Sequence, residues 1–336
     1  MTSTSVRIAR TTIAFLILGV LAGAGCTQSD SGGPDGSGLP AEITPAGIRI
    51  GTLATQDALP LWVAEERGSF EDEGLPEVEI ITFQSALECQ TAFASGAVDA
   101  LMTDLIVAAN LQGSGTPVNI ATVMLGADTA EGRFAVVAAP GSGAATMTDL
   151  AGVPVGTASA TITEYILDQL MTEAGVAAAD VKKEEVGKMP VRFQLLMEGQ
   201  LKAAVLPEPF VSLAEQGGAT IVAEGDDTKA RTNVSQSVLC VSADYAGTAG
   251  GRAAVDAVLA AWDVAVAAIN ADPDSFRQTL VDKARLPVPL AGTYAVSTYP
   301  KAAPPTSEQV QMVLDWMTEK GYLKAEVTPE GLLGTQ

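Results

Sequence analysis

From Ile48 onward, short apolar runs alternate with longer runs of helical period. "IRIGTL" (48–53) alternates apolar and polar positions and closes on a Gly-Thr pair, which predicts a strand entering a turn. "LPLWVAEERGSFEDEG" predicts a helix that opens near Pro60 and stops at Gly68, with a further turn closing at Gly74. "VEIITF" is a second strand, and "SALECQTAFASG" a helix stopped by Gly96. "VDALMT" is a third strand, and "DLIVAANLQGSG" a helix opened by Asp104, a residue type favoured at N-caps. "VNIATVM" is a fourth strand. Such alternation predicts the α/β class, with a parallel sheet and helices on its faces.

The pattern then begins again. "DLAGVPVGT" brings a strand over 153–156, and "TITEYILDQLMTEAG" a helix with Ile162, Ile166, Leu170 and Ala174 on one stripe. "VKKEEV" is a charged, edge-like strand, "PVRFQLLMEG" a helix and "KAAVLP" a strand. "FASGAVDALMTD" (93–104) and "LMEGQLKAAVLPEP" (196–209) write one unit twice: an apolar helix end, a Gly, a short apolar strand. Gly51 matches Gly156, Gly74 matches Gly175 and Gly96 matches Gly199, in the same order and at nearly constant spacing. The repeat predicts two similar α/β lobes. Beyond it, "SVLCVSADY" is another strand. "AAVDAVLAAWDVAVAAIN" sets Val255, Val258, Leu259, Trp262, Val266 and Ile269 at helical spacing, with Asp256 and Asp263 opposite. Two unpaired acids argue for a helix docked on a lobe over a membrane span. "PTSEQVQMVLDWMTEKGYL" is a second amphipathic helix, with Val310, Val313, Leu314 and Met317 facing inward.

Composition narrows the chemistry. The 336 residues suit two lobes of ordinary size. With 19 Lys and Arg against 40 Asp and Glu, the net charge of −21 repels phosphate backbones and argues against a nucleic-acid partner. The chain has no histidine, which excludes Ser-His-Asp and Cys-His catalysis and removes the commonest zinc ligand. Cys26, Cys89 and Cys240 have no metal-like spacing. Cys89 and Cys240 are either a disulfide or two buried thiols.

The N-terminus reads as a signal peptide over 1–25: Arg7 and Arg10, then the apolar run "TTIAFLILGVLAGAG", too short for a comfortable permanent span. "LAGAGC" resembles a bacterial lipobox that would make Cys26 the lipidated first mature residue, with Gly23 where Leu or Val is more usual. Simple secretion with cleavage after "AGA" is the alternative. "TQSDSGGPDGSGLPAE" follows and cannot bury enough apolar surface to fold. Residues 26–46 are therefore expected to be a flexible tether.

Four segments together resemble the solute-binding lipoproteins of bacterial ABC importers, in the branch that serves aliphatic sulfonates, taurine, nitrate and thiamine-pyrimidine precursors (SsuA/THI5-like). They are "IRIGTLATQDALPLWVAEERGSFEDEGL", "FQSALECQTAFASGAVDALMTD", "DLAGVPVGTASATITEYILDQLMTEAGV" and "MPVRFQLLMEGQLKAAVLPEPF". Two positions depart from the family pattern: Ala86 stands where Gly is typical, and Lys202 replaces an acid. The resemblance runs from about Ile48 to Leu323. It implies a periplasmic-binding-protein-like type II fold, two similar α/β lobes joined by two crossover strands near "RFAVVAAP" and "SVLCVSAD". Lobe 1 would comprise 47–134 and 240–336, and lobe 2 would comprise 135–239. It further implies a monomer that closes on a small-molecule ligand, delivers it to an ABC permease, sits at the membrane through its N-terminal lipid and needs no cofactor.

Ligands of open α/β sheets gather at the carboxyl ends of the strands. The candidate ligand-binding residues are therefore Thr55, Gln56 and Asp57 after the first strand, Ser85 after the second, and Thr103 and Asp104 after the third. The second lobe would add Ser159, Ala160 and Thr161 before a helix, and Glu208 after "VLP". Small residues at a helix start leave N–H groups free for an acceptor, or simply cap the helix. Asp104 and Glu208 would either meet ligand or serve as a cap and a fastener. No Arg or Lys occurs in these loops, and three acids do. That combination predicts a neutral or cationic ligand, such as an aminopyrimidine or amine. Trp62, Phe83, Tyr165, Phe193 and Phe210 are stacking candidates or core. Two other functional classes stay open: an enzyme on the same fold, although related pyrimidine-precursor synthases consume an active-site histidine that this chain lacks, and a ligand sensor for a membrane kinase.

Overall fold

The computed structural model describes residues 44–75, 77–126, 131–224, 237–286 and 288–334. The expected signal peptide, Cys26 and nearly all of the tether lie outside them. Among the described residues, ten strands form two five-stranded sheets. The first contains β1 (Ile48–Leu53), β2 (Val78–Phe83), β3 (Ala100–Thr103), β4 (Val118–Leu125) and β10 (Ser237–Ser242), in the order β2-β1-β3-β10-β4. The second contains β5 (Phe134–Ala138), β6 (Pro154–Thr157), β7 (Lys182–Glu185), β8 (Ala203–Pro207) and β9 (Thr220–Glu224), in the order β7-β6-β8-β5-β9. The chain passes from the first sheet to the second between β4 and β5 and returns between β9 and β10. Each sheet takes its antiparallel strand from the arriving chain: β10 runs antiparallel between β3 and β4, and β5 between β8 and β9.

The sheets are built alike to the residue. Ile50 pairs with Ala100 and Gly51 with Leu101; Val155 pairs with Ala203 and Gly156 with Ala204. Gly96 and Gly199 each stand one residue past a helix C-cap with φ of 73° and 71°. There the next amide closes the helix in a Schellman bond, Ala97 N donating to Ala92 O and Gln200 N to Leu195 O. At Gly51 the hydrogen side chain admits a helix onto the strand, and at Gly156 it admits the loop side chain of Leu201. A Cβ at Gly51 would lie 2.7 Å from Cys89 Sγ, and one at Gly156 2.6 Å from Leu201 Cδ1.

Three apolar clusters form among the described residues. One lies on the outer face of the first sheet, where the helix Leu59–Arg67 packs on the helix Ala249–Ala271 through Trp62, Trp262, Val258 and Val266. Ala249–Ala271 is long and apolar enough to cross a membrane, but its apolar stripe is buried in this core. Another cluster backs the second sheet around Leu196, Leu206 and Phe210. The third joins residues of both lobes, with Ile162, Tyr165 and Ile166 meeting Val313, Trp316 and Met317. Tyr165 meets Trp316 edge-on at 5.3 Å. Cys89 and Cys240 are free buried thiols, and burial pushes the Cys89 thiol up to about 12.

Candidate functional site

A cleft of about 60 Å³ lies where the carboxyl ends of the two sheets face each other, large enough for only a small ligand. The first lobe supplies Leu53, Thr55, Asp57, Ala86, Met102, Thr103, Asp104 and Ser237; the second supplies Phe134, Ala158, Thr161, Ile162, Thr163, Gly187, Met189, Arg192 and Pro207. An outer chamber, sharing Leu53, Thr55 and Met189 with the cleft, carries Lys283 and Arg285 on its wall.

Asp57 follows β1 in a short 3₁₀ turn and is only 8% exposed. Burial raises its pKa, against the pull of the nearby Ser237 and Thr55 hydroxyls and its own N–H. Those hydroxyls lie close enough to be felt yet make no well-formed bond: Thr55 Oγ1 and Ser237 Oγ are buried without a partner. Buried polar atoms normally find partners, so this corner of the cleft has hydrogen-bonding capacity to offer.

Asp104 caps the helix Leu105–Gly113, Oδ1 accepting from Val107 N at 2.9 Å. Its Oδ2 accepts from Ile162 N, the first residue of the helix Ile162–Glu173 in the other lobe, also at 2.9 Å. Burial pushes its pKa up to about 6, more than the N–H groups of Ile162, Val107 and Ile106 pull it down. Arg192, on the helix Met189–Met197, is the cation that the loops lacked. It is 1% exposed, and its Nε and Nη1 donate to the carbonyls of Val186 and Val205 at 2.8 and 2.9 Å. No carboxylate among the described residues pairs with it, and burial lowers its pKa to about 10, partly offset by Glu185.

Of the residues read from the sequence, Thr55, Asp57, Thr103, Asp104 and Thr161 line this cleft together. The others are engaged elsewhere. Gln56 accepts from Tyr294 Oη and Ser297 Oγ with its side chain. Ser85 caps the helix Ala86–Ala94 through Glu88 N, leaving Ala86 on the cleft wall. Ser159 donates N and Oγ to Glu185, and Ala160, with φ of 53°, donates N to Glu164. Glu208 is 6% exposed, accepts from Ser212 N and Oγ, and pairs with Arg133 at 3.1 Å. Burial raises its pKa despite Arg133 and Ser212.

Loop-by-loop reading missed Arg192 because it sits inside a helix, and Ser237 because it opens a strand far along the chain. Their signal was positional: Arg192 lies in the first turn of the helix that follows β7, and Ser237 begins the arriving strand between β3 and β4. The aromatic on the cleft is Phe134. Trp62 is fully buried in the core, Tyr165 packs on Trp316, and Phe193 stacks on Phe210 at 5.6 Å. No cluster of three metal-ligating side chains occurs among the described residues.

Further contacts join the lobes. Lys188 pairs with Glu88 at 2.7 Å. Lys320 pairs with Asp168 at 2.7 Å, and Tyr322 Oη donates to Glu164.

Two α/β lobes with matched sheets, facing across a small cleft, have the periplasmic-binding-protein architecture used to enclose solutes. The model of the NMT1/THI5-like family matches residues 55–275, and the chain belongs to that family. No protein of curated function matches the sequence. Among solved structures, the aliphatic sulphonate-binding protein SsuA of Escherichia coli is similar over 87% of this chain and 92% of its own, with 20% identity and a TM-score of 0.71. The alkanesulfonate-binding SsuA of Xanthomonas axonopodis pv. citri, bound to MOPS, covers 83% of this chain and 94% of its own, with 20% identity and a TM-score of 0.69. The nitrate-binding NrtA of Synechocystis PCC 6803 covers 85% of this chain and 84% of its own, with 16% identity and a TM-score of 0.64. At such identities the likeness is one of fold.

Proposed function

We propose that this protein is the extracytoplasmic solute-binding component of an ABC importer, tethered to the membrane through lipidated Cys26. It captures a small organic molecule between its lobes by hinge closure and presents it, as a monomer, to the permease. A binding role is favoured over an enzymatic one by the absence of histidine and by family membership. The ligand is neutral or cationic, an amine or aminopyrimidine such as a thiamine pyrimidine precursor. One observation carries this reading: two buried carboxylates, Asp57 and Asp104, line the cleft.

A second reading, an aliphatic sulfonate, taurine or nitrate, is favoured by Arg192, the buried cation in the same cleft. Thermal-shift screening separates the two, since a ligand that binds only the folded state raises the melting temperature by mass action. Aminopyrimidines or amines should raise it, and alkanesulfonates, taurine and nitrate should not. The reverse result would overturn the charge assignment and leave the importer role standing.

A further inference from the structure

The helix Ile162–Glu173 starts on the cleft wall. A helix N-terminus leaves its first N–H groups unpaired and carries partial positive charge, which makes it a seat for anions. Arg192 lines the same cleft, buried and without a carboxylate partner among the described residues. Both features suit an anionic group. Yet the first N–H of that helix is already taken, by Asp104 Oδ2 at 2.9 Å, reaching over from the other lobe. The same carboxylate caps its own helix through Val107 N. One side chain, 5% exposed, thus stands at the N-termini of two helices, one from each lobe.

We propose that Asp104 is a specificity-determining residue of this cleft. Its carboxylate fills the place a ligand's anionic group would take, so lobe closure excludes anions and admits neutral or cationic molecules. Like charges held close together away from water repel strongly, and an entering sulfonate would have to displace Asp104 from Ile162 N or sit beside it. The far corner, where Asp57 lies near the unpartnered Thr55 and Ser237 hydroxyls, then receives the ligand's N–H donor. This inference rests on the neutral-or-cationic reading above and supplies its mechanism. It separates this chain from what Arg192 and the helix terminus alone would select.

The test is Asp104→Ser. Ser serves as well as Asp at an N-cap, so the helix Leu105–Gly113 keeps its cap. It is uncharged and too short to reach Ile162 N. Ethanesulfonate is titrated calorimetrically into the full chain and the variant, and exchange of the Ile162 amide is followed with and without it. The variant should bind ethanesulfonate at least about ten-fold more tightly than the wild type. Its Ile162 amide should exchange faster than in the wild type and be protected again by ethanesulfonate. A cap with no role in selection would not produce that renewed protection. If neither the wild type nor the folded variant binds ethanesulfonate, Asp104 only caps helices and the inference fails alone. If both bind ethanesulfonate with equal affinity, the wild-type cleft accepts an anion, and the charge reading fails and the inference with it. Should the Ser variant not fold, Asp104→Asn, which keeps the size and one acceptor, is measured in the same way.

Discussion

The loops that follow β3 and β8 leave equivalent strands, and their carboxylates point to different work. Asp104 reaches out of its lobe to the amide of Ile162. Glu208 stays within its lobe, held by Ser212 and by Arg133, which also meets Glu215 and Glu224. Up to that point the lobes match in strand order, register and glycine corners. The match ends where sheet packing ends. A residue inside a strand must fit the helix above it in both lobes, whereas a residue past the strand end is free to answer to a ligand or to the opposite lobe.

The contrast is broken most severely at Arg133. Arg133→Met would leave Glu208 buried without its charge partner, kept only by Ser212, and losing one partner of a buried pair costs about 3–5 kcal/mol. Arg133 is itself partly exposed, its side chain at 26%, so the low end, about 3 kcal/mol, is expected. Thermal unfolding should show a melting temperature lower by roughly 5 °C, with ligand affinity unchanged if Glu208 serves only its own lobe. Loss of affinity in a folded variant would put Glu208 back beside the ligand.

Asp104 gives the next effect, and its sign can be worked out. Its pKa rises from an ordinary 3.8 to about 6 on folding, so the folded state holds the proton more tightly than the unfolded chain. The associated stability is fully present below about pH 4 and is lost as the pH rises to about 6, amounting to about 3 kcal/mol. Asp104→Asn does not titrate. The stability of the variant relative to the wild type should therefore improve by up to that amount, about 3 kcal/mol, between roughly pH 4 and pH 7. Melting curves across that range check it, and a flat difference would mean that Asp104 stays hydrated.

How much of this was legible beforehand follows the same division. The strands of β1 to β4 and β6 to β8, the glycine matches and the long amphipathic helices could be read because each rests on a local period or a backbone need. β9 was not recognised: "TIVAE" is short and half-buried at a sheet edge, with little pattern to display. The helix Ala243–Gly247 cuts short the strand expected over "SVLCVSADY", since Ser242 caps it through Tyr245 N. In the cleft, residues after strand ends could be listed, but not which of them face inward. Gln56 turns away because Tyr294 and Ser297, more than two hundred residues later, reach back to it. Arg192 enters from a helix, where a lone cation ordinarily reads as a solvated face.

The smallest effect probes the similarity itself. Gly51→Ala and Gly156→Ala place the same methyl on equivalent strands, 2.7 Å from Cys89 Sγ in one and 2.6 Å from Leu201 Cδ1 in the other. Overpacking of this kind costs about 1–3 kcal/mol, and removing a glycine returns about 0.4–1 kcal/mol through the unfolded chain. What yields decides the difference. Cys89 Sγ is one bond beyond Cβ on the buried face of the helix Ala86–Ala94, and Phe83 closes in at 3.2 Å, so the helix itself must shift. Leu201 Cδ1 is the end of a flexible side chain in a loop, with Ala204 Cβ and Arg192 Cγ no nearer than 3.4 Å. Gly51→Ala should therefore cost about 2 kcal/mol and Gly156→Ala about 1 kcal/mol in denaturant unfolding. A larger loss at Gly156 would show that Arg192, fastened to the carbonyls of Val186 and Val205, holds its helix more rigidly than Cys89 holds the other.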